Sequence, residues 1–264
     1  MLALIGDNGI GRLGYRLPRA AAAPVPPPIT KAQLLATAYT PAVFDELVRA
    51  YLGTGAGIAG MQPKIMVPEV RAAIPIPTLI VKAGSDAYPG LAANEYLCLR
   101  AAQLAGIATS VFDLSHDGQL LVLERFDTVV AQDGSIERLG FEDIAALAGL
   151  RVRDTLSDRK YQGSYQRVVD LLKTLQMQQQ DLTRFFAQVA FSIMVRNGDA
   201  HLKNFGVLYR SWGDKWLAPM FDVVTTAFIG PRMSLFMTPC CASTPSTRST
   251  LNPSTPKQKC EIAG

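Results

Sequence analysis

Three side chains in the last third of the chain have the spacing of a phosphoryl-transfer site. Asp199 and Asn204 lie five residues apart at the end of an apolar segment, and Asp222 follows eighteen residues later, after a short hydrophobic run. One carboxylate can accept a hydroxyl proton, while an amide oxygen and a second carboxylate supply the hard ligands that Mg²⁺ prefers beside phosphate oxygens. The pattern therefore predicts phosphoryl transfer assisted by a metal ion.

The same residues have a simpler explanation. Residues 197–199, Asn-Gly-Asp, can be an ordinary turn that ends a helix, because turns favour these residue types. Asn204 would then be a loop residue without a chemical role. In the catalytic interpretation, Lys203 beside it adds positive charge near the transferring phosphoryl group. The motifs upstream therefore determine whether the catalytic interpretation or the simple turn is favoured.

A glycine-rich segment upstream is a candidate phosphate-binding loop. Residues 53–64 carry four glycines within eight positions, among them Gly57 and Gly60, followed by Gln62 and Lys64. Glycines let the backbone approach a ligand closely, and the exposed amides of such a loop can surround phosphate oxygens. A flexible connector would have the same composition. The lysine follows a proline, so the segment is neither a dinucleotide fingerprint nor a Walker loop.

A lysine and a glutamate form the next candidate pair. Lys82 ends the predicted strand 78–81, and Glu95 lies on the predicted helix 91–105. In kinases, a strand lysine contacts the nucleotide phosphates and pairs with a helix glutamate. Alternatively, the lysine extends to solvent and the glutamate belongs to a solvated helix face.

A possible crossover between two lobes follows the strand 119–123. In a two-lobed phosphotransferase, backbone groups of Glu124 to Phe126 would contact the adenine edge at this point. After it the predicted elements are helices, over 141–150, 165–175 and 181–196. The last of them has Asp181 as its expected cap and is apolar almost all round, so we expect it to be buried. Before the crossover the elements are mostly strands, with a hairpin expected over residues 1–15 and a helix over 41–52. This order predicts an α+β fold of two lobes.

Composition excludes several other classes of protein. The chain has 264 residues, 48% of them hydrophobic, and a net charge of +4 without a basic block, so no nucleic-acid footprint is expected. Charges interrupt every apolar run before the roughly 20 residues that a membrane span needs. The four cysteines lack metal-ligand spacing and are expected to be reduced. We therefore expect a cytoplasmic protein with no membrane partner.

The motifs, taken in order, resemble the HipA-like toxin kinases. The resemblance runs from about residue 1 to 226 and is carried by residues 60–64, 80–82, 89–95, 123–127, 197–205 and 217–223. It implies a serine/threonine protein-kinase fold and the toxin half of a type II toxin–antitoxin pair. It also implies a protein substrate such as an aminoacyl-tRNA synthetase and an antitoxin with a helix-turn-helix domain, through which DNA would be contacted indirectly.

The resemblance also assigns roles to residues, with ATP and Mg²⁺ as cofactors. In it, Asp199 is the base for the substrate hydroxyl, and Asn204 and Asp222 are the magnesium ligands. The nucleotide-binding residues that it implies are Lys82 and its partner Glu95, the loop residues Gly57, Gly60, Gln62 and Lys64, and the hinge residues Glu124 and Phe126. His201 supports the catalytic turn in this interpretation, or it is simply a core histidine.

The resemblance suggests domain boundaries. They are a hairpin remnant at 1–19, a linker at 20–29, a kinase N-lobe at 30–127, a partial C-lobe at 128–237 and a disordered tail at 238–264. In the tail, 13 of 27 residues are Ser, Thr or Pro, and we expect a disrupted reading frame near Met237. The loop lacks the serine whose phosphorylation silences family members, so that form of self-regulation is not expected.

Two other functions remain open from sequence. A small-molecule kinase of the aminoglycoside or choline type uses a similar arrangement of two aspartates and an asparagine, although residues 62–64 and the crossover motif argue against it. An inactive, truncated relic that still binds nucleotide or the antitoxin is the other alternative.

Overall fold

The computed structural model describes residues 10–13, 29–52, 64–67, 78–84, 88–131, 133–150 and 163–227. They form two lobes, as predicted, with a four-stranded sheet in the first and the longest helix in the second. Gly57, Gly60 and Gln62 of the glycine-rich segment, the linker except Ile29, and the tail at 238–264 lie outside the described residues, so the predictions for them are not addressed by the structure.

The first lobe packs three helices against an antiparallel sheet of order β1-β2-β4-β3. Its elements are α1 (Lys31–Ala36), α2 (Pro41–Leu52), β1 (Lys64–Val67), β2 (Leu79–Ala83), α3 (Leu91–Leu104), β3 (Phe112–Leu114) and β4 (Leu120–Glu124). The hydroxyl of Thr30 accepts a hydrogen bond from the Gln33 amide, and that of Thr40 accepts one from the Val43 amide. These caps explain where the first two helices begin.

Strand β2 is the centre of the first lobe. All five of its residues are buried, and Val81 lies opposite Ile65 on β1 and Val122 on β4. A strand covered on both faces needs a continuous apolar run, which this segment has except at Lys82. Phe191 and Met220 of the second lobe join the same hydrophobic core, so the two lobes share packing as well as a cleft.

The second lobe combines short strands with helices. Its elements are β5 (Thr128–Val130), β6 (Ile136–Arg138), β7 (Gly140–Asp143), α4 (Ile144–Leu147), α5 (Tyr165–Thr174), α6 (Gln179–Met194), a 3₁₀ turn (Leu202–Asn204), β8 (Gly206–Tyr209) and β9 (Lys215–Leu217). Strands β7, β8 and β9 form one antiparallel sheet, and β5 pairs with β6. Leu172 and Phe185 lie in the lobe's apolar core.

The helix predicted over residues 141–150 is wrong at its beginning. Residues 140–143 form β7, in which Phe141 pairs with Leu208 of β8, and only Ile144–Leu147 are helical. The Asp143 side chain accepts a hydrogen bond from the Ala146 amide and caps this short helix. A strand partner 67 positions away, at Leu208, cannot be recognised from local periodicity.

Helix α6 begins two residues earlier than predicted, and Asp181 is not its cap. The buried Asp181 carboxylate instead accepts a hydrogen bond from the Leu217 amide at 3.1 Å, fixing β9 to the helix. The expectation that this helix is buried all round is also wrong, because Phe186 is 72% and Met194 80% exposed. Within the described ranges, no helix has both the length and the hydropathy needed to cross a membrane.

The described part of the predicted N-terminal hairpin is a bend. Gly11 has a φ of +83°, and residues 10–13 belong to no strand. The Gly11 amide donates a hydrogen bond to Asp127 Oδ2 at 2.6 Å, and the Arg138 guanidinium donates one to the Gly11 carbonyl oxygen. Side chains of the crossover and of β6 therefore satisfy the backbone groups that a strand partner would have used.

Candidate active site

A cleft is lined by residues of both lobes. The residues around it are Ile10, Lys64, Ile80, Lys82, Ser110, Leu123, Glu124, Phe126, Phe141, Phe221 and Asp222. Five of the predicted site residues are among them, although they lie up to 158 positions apart, from Lys64 to Asp222. The cleft therefore combines the strand lysine, the crossover and the second aspartate.

Three phenylalanine rings form the apolar part of this cleft. The centroid of the Phe126 ring lies 5.4 Å from that of Phe141 and 5.1 Å from that of Phe221, and the latter two are 6.0 Å apart. With Ile80 and Leu123 from the first-lobe sheet, they form a slot suited to a flat aromatic group. Of these three rings, only that of Phe126 was predicted to belong to the site, because Phe141 fell in a predicted helix and Phe221 had no role assigned.

Lys82 pairs with two carboxylates at the inner end of the cleft. Its ammonium group lies 2.6 Å from Glu95 Oε1 on α3 and also contacts Asp222 Oδ1. Lys82 and Glu95 are buried, whereas 34% of the Asp222 side chain is exposed. Lys64 Nζ lies 3.8 Å from the other oxygen of Asp222. The arrangement holds two positive charges beside a carboxylate that remains accessible from the cleft.

Burial and charge act in opposite directions on these groups. Burial alone would lower the pKa of Lys82, but the Asp222 and Glu95 carboxylates raise it above its ordinary value. Burial would likewise raise the pKa of Asp222, but the ammonium groups of Lys64 and Lys82 hold it well below the usual range. Complete burial raises the pKa of Glu95, which the neighbouring ammonium offsets only in part.

The predicted catalytic turn is held by two asparagine side chains. Asn197 Oδ1 accepts a hydrogen bond from the Asp199 amide at 3.1 Å, and Asn204 Oδ1 accepts one from the His201 amide at 3.0 Å. Asn197, His201 and Asn204 are buried, and His201 Nε2 lies 4.0 Å from Asp199 Oδ1. The motif is thus more than the end of a helix: it is a turn that side-chain hydrogen bonds hold in place, with the Asp199 carboxylate accessible.

Between this turn and the cleft, the interaction shown is electrostatic, from His201 to Asp222. The imidazole of His201 is one of the groups that hold the pKa of Asp222 low, after Lys64 and Lys82. Among the described residues, the cleft lining itself does not include Asp199, Lys203 or Asn204. The Lys203 side chain is exposed.

The crossover has part of its backbone already paired. The Glu124 amide donates to the Val111 carbonyl and the Arg125 amide to the Thr78 carbonyl, both at 2.8 Å. The Glu124 side chain accepts a hydrogen bond from Lys31 Nζ at 3.1 Å. The amides of Glu124 and Arg125 are therefore already paired within the protein.

The side chains in and beside the cleft are of the types that a magnesium–nucleotide complex would need. Among the described residues, no cluster of three or more His, Cys, Asp or Glu side chains could hold an ion. Mg²⁺ usually takes one or two protein oxygens together with phosphate oxygens and waters. Asp222 and Asn204 can supply a carboxylate and an amide oxygen, while Lys64 and Lys82 supply positive charge for phosphates.

Comparisons with known proteins agree with this arrangement. The HipA-like C-terminal domain model matches residues 56–254, and so extends into the segment predicted as a tail. Two proteins of Sinorhizobium fredii are similar: "Putative kinase Y4mE" is 27% identical over 199 residues, and "Putative kinase Y4dM" is 26% identical over 161 residues. These alignments cover 69% and 56% of this chain, and 46% and 37% of the relatives. The chain therefore spans about half the length of the curated relatives it matches or less.

A solved structure shares the fold. One chain of the Shewanella oneidensis MR-1 complex of HipA, HipB and operator DNA aligns with a TM-score of 0.58 and 21% identity. The alignment covers 88% of this chain and 59% of that chain. The two-lobed α+β architecture, in which each lobe combines strands and helices, is accordingly a protein-kinase-like fold.

Proposed function

The chain belongs to the HipA-like C-terminal domain family, whose model covers more than half of it, and we propose that it is a protein kinase. The proposed reaction transfers the terminal phosphoryl group of ATP, with Mg²⁺, to a serine or threonine hydroxyl. The proposed biological role is the toxin of a type II toxin–antitoxin pair, acting on a translation component such as an aminoacyl-tRNA synthetase.

One observation carries this proposal. The buried Lys82 ammonium joins Glu95 of the first lobe to Asp222 of the second, in a cleft that is also lined by three aromatic rings. A lysine held by a helix glutamate beside an aspartate that can bind a metal is the arrangement that protein kinases use for phosphoryl transfer from a nucleotide. A structural ion pair would need neither the second carboxylate nor access from a cleft.

Each part of the site has a distinct task in this mechanism. The rings of Phe126, Phe141 and Phe221 hold the adenine and exclude water, and the Phe126 amide donates to its edge. Lys82 and Lys64 neutralise phosphate charge. When bound by Asn204 and Asp222, Mg²⁺ supplies further charge neutralisation and orients the phosphates.

The proton of the substrate hydroxyl goes to Asp199. Its side chain is 36% exposed, so an incoming hydroxyl can reach it, and the Asn197 and Asn204 hydrogen bonds fix the turn that carries it. His201 lies beside this carboxylate and supports the turn. The exposed Lys203 adds positive charge on the side from which the substrate arrives. Accepting a proton in the transition state contributes about 100- to 10,000-fold to such reactions.

The similarity to HipA supports a proposed partner. In the Shewanella structure, HipA is found with HipB and operator DNA. We propose that this chain likewise binds a helix-turn-helix antitoxin, through which it contacts DNA indirectly. Co-expression with the neighbouring open reading frame and co-purification on a tag tests this partner. Separate elution of the two proteins would contradict it.

Transfer of label from γ-labelled ATP to a bacterial lysate tests the proposed activity. We expect a labelled protein band that depends on Mg²⁺ and contains phosphoserine or phosphothreonine. A labelled small molecule would instead identify a small-molecule kinase. No transfer, with no ATP binding by calorimetry, would identify a relic and contradict the proposal.

Two variants locate the base. Asp199→Asn keeps the shape of the side chain and removes the proton acceptor, so we expect transfer to fall by about 100- to 10,000-fold while ATP binding persists. Asp214→Asn is the matched control, because Asp214 is an exposed aspartate of the β8–β9 turn paired with Arg210. Wild-type transfer by Asp199→Asn would show that another group is the base.

A further inference from the structure

The segment that follows Asp222 contacts both halves of the proposed site. Residues 222–226 run from the carboxylate beside Lys82 to a buried threonine, Thr226. The segment forms no regular helix or strand. Side-chain hydrogen bonds therefore fix its position, and they lead in two directions, to α3 and to the turn that carries Asp199.

Thr226 holds the turn that carries Asp199. Its amide donates to the Arg196 carbonyl at 3.1 Å, and its hydroxyl donates to the same oxygen at 2.9 Å. The hydroxyl oxygen also accepts a hydrogen bond from the Gly198 amide at 3.0 Å. One side chain thus satisfies the backbone on both sides of Asn197, directly before the proposed base.

Asn94 holds the same segment from the first lobe. Its side-chain amide donates to the Thr225 carbonyl, and its side-chain oxygen accepts from the Thr225 amide, both at 2.9 Å. This two-bond contact resembles the pairing of one strand residue with another. Asn94 is adjacent in sequence to Glu95, which pairs with Lys82, so the contact joins the lysine's partner helix to the segment carrying Asp222.

Backbone conformation shows why these bonds are needed. Asp222 has a φ of +52° and Arg196 a φ of +53°, values that residues with a side chain rarely adopt. Such conformations cost on the order of 1–3 kcal/mol each and persist only where the surroundings impose them. The Thr226 bonds act on the carbonyl of Arg196, and the Asn94 bonds act three residues after Asp222.

We propose that Asn94 and Thr226 are positioning residues that fix the carboxylates of Asp222 and Asp199 relative to each other. The inference rests on the proposed kinase function and extends it to two residues that touch neither nucleotide nor substrate. Loss of either side chain leaves the aromatic slot and both lysines in place. It should therefore lower the rate of transfer far more than the affinity for ATP.

The threonine variants test this with label transfer to lysate protein at varied ATP concentrations. For Thr226→Val, which keeps the shape and loses the hydroxyl, we expect the maximal rate to fall about 10- to 100-fold, with the KM for ATP changed by less than about threefold. Thr226→Ser should restore most of the rate. Thr174→Val is the control, because Thr174 makes one exposed hydroxyl-to-carbonyl bond of 2.9 Å to Asp170, on α5.

Hydrogen exchange provides a measurement that does not depend on activity. In Thr226→Val, amide exchange should accelerate in residues 196–200 and stay unchanged in β2 and β4. If wild-type protein transfers no phosphoryl group, the kinase proposal fails, and the exchange result alone decides the positioning inference. Unchanged exchange in that turn, or an unchanged maximal rate, would overturn it.

Asn94→Ala covers the case in which the threonine variant does not fold. It removes both bonds to Thr225 without changing any group in the second-lobe core. We expect a similar loss of maximal rate and faster exchange in residues 222–226. A rise in the KM for ATP equal to the fall in rate would show that Asn94 acts on nucleotide binding, contrary to the inference.

Discussion

Two buried ion pairs in this protein have the same chemical type and different surroundings. Arg125 and Asp127 have side chains with 0% exposure, joined by bonds of 2.8 and 2.5 Å, and the carboxylate also accepts from the Gly11 amide at 2.6 Å. Lys82 is equally well buried, but one of its two carboxylates, on Asp222, is accessible from the cleft. The first pair is closed, and the second is open.

The difference separates a structural ion pair from a functional one. A closed pair has its hydrogen bonds satisfied from all sides, so it can only hold its own elements together. In an open pair, the exposed oxygen can exchange its protein partner for a ligand, as phosphate and metal binding require. The closed pair nevertheless serves the site, since Asp127 fixes Gly11 and thereby the neighbouring Ile10, which lines the cleft.

Breaking the closed pair should have the largest effect on stability. Asp127→Ala leaves the Arg125 guanidinium buried without its carboxylate, and such a change typically costs about 3–5 kcal/mol. We expect urea unfolding to show a loss of that size. Arg125→Met combined with Asp127→Leu removes both charges and should recover most of it. A loss below about 1 kcal/mol for Asp127→Ala would remove the distinction between the two pairs.

Breaking the open pair should act mainly on catalysis. Lys82→Met removes a fixed charge from the phosphate site, and loss of one such donor typically lowers the rate about 100- to 1,000-fold. Label transfer from ATP to lysate protein measures this. Lys82→Met combined with Glu95→Leu should restore stability but not activity. Recovery of transfer in that double variant would make the open pair merely structural.

The stability of Lys82→Met should depend on pH differently from that of the wild-type protein. Without Lys82, the pKa of Glu95, already raised by burial, rises further above its unfolded value. A raised folded pKa stabilises the protein below the unfolded pKa, and the gain disappears as the pH rises through the folded pKa. The stability deficit of Lys82→Met relative to wild type should therefore shrink between pH 8 and pH 5. With Glu95→Gln in addition, the deficit should not vary with pH.

A smaller effect is expected from crowding the aromatic slot. A Cβ added at Gly206 would collide with the Phe141 ring and lie 3.0 Å from the Glu142 carbonyl oxygen, so Gly206→Ala should displace that ring. Overpacking of this kind costs about 1–3 kcal/mol. We expect ATP affinity, measured by calorimetry, to fall about tenfold. Gly140→Ala, which crowds Tyr209 instead, should lower stability but leave that affinity unchanged.

The smallest effect is expected at a partly exposed ionic cluster. Lys31 Nζ lies 2.7 Å from Asp113 and 3.1 Å from Glu124, whose side chains are about half exposed. Solvent screens such pairs, so Lys31→Met should lower the free energy of unfolding by only about 0.2–1 kcal/mol for each of the two ion pairs that it removes. Thermal unfolding at low and high salt measures it. A loss of stability comparable with that of Asp127→Ala would show that the burial of an ion pair does not determine its contribution to the free energy of unfolding.

Much of the first lobe could be predicted because its signals are local. Thr30 and the Thr40–Pro41 pair mark helix starts, and the helix and strand containing Glu95 and Lys82 have the predicted type with bounds shifted by only one or two residues. Caps and side-chain periodicity act between residues a few positions apart. The prediction of two lobes and of membership in the HipA-like family is likewise confirmed.

Non-local pairing explains the errors. Strand β7 looks helical in isolation and becomes a strand because β8 pairs with it, and the exposure of Phe186 on α6 cannot be seen in an apolar pattern. At the site, Phe141 was missed for the same reason. Asn94 was part of a recognised motif without a role, and nothing in the local sequence distinguishes Thr226 from the threonine before it. The catalytic and metal-binding roles remain predictions.

The sequence by itself determined which chemical groups are present and their order along the chain: a strand lysine, a helix glutamate, a crossover, and two aspartates with an asparagine between them. Only the tertiary structure decided which of them meet. Lys82 reaches Asp222 across 140 positions, and Thr226 reaches Arg196 across 30. Such contacts form because the whole chain buries its apolar surface, and no local preference of either partner encodes them.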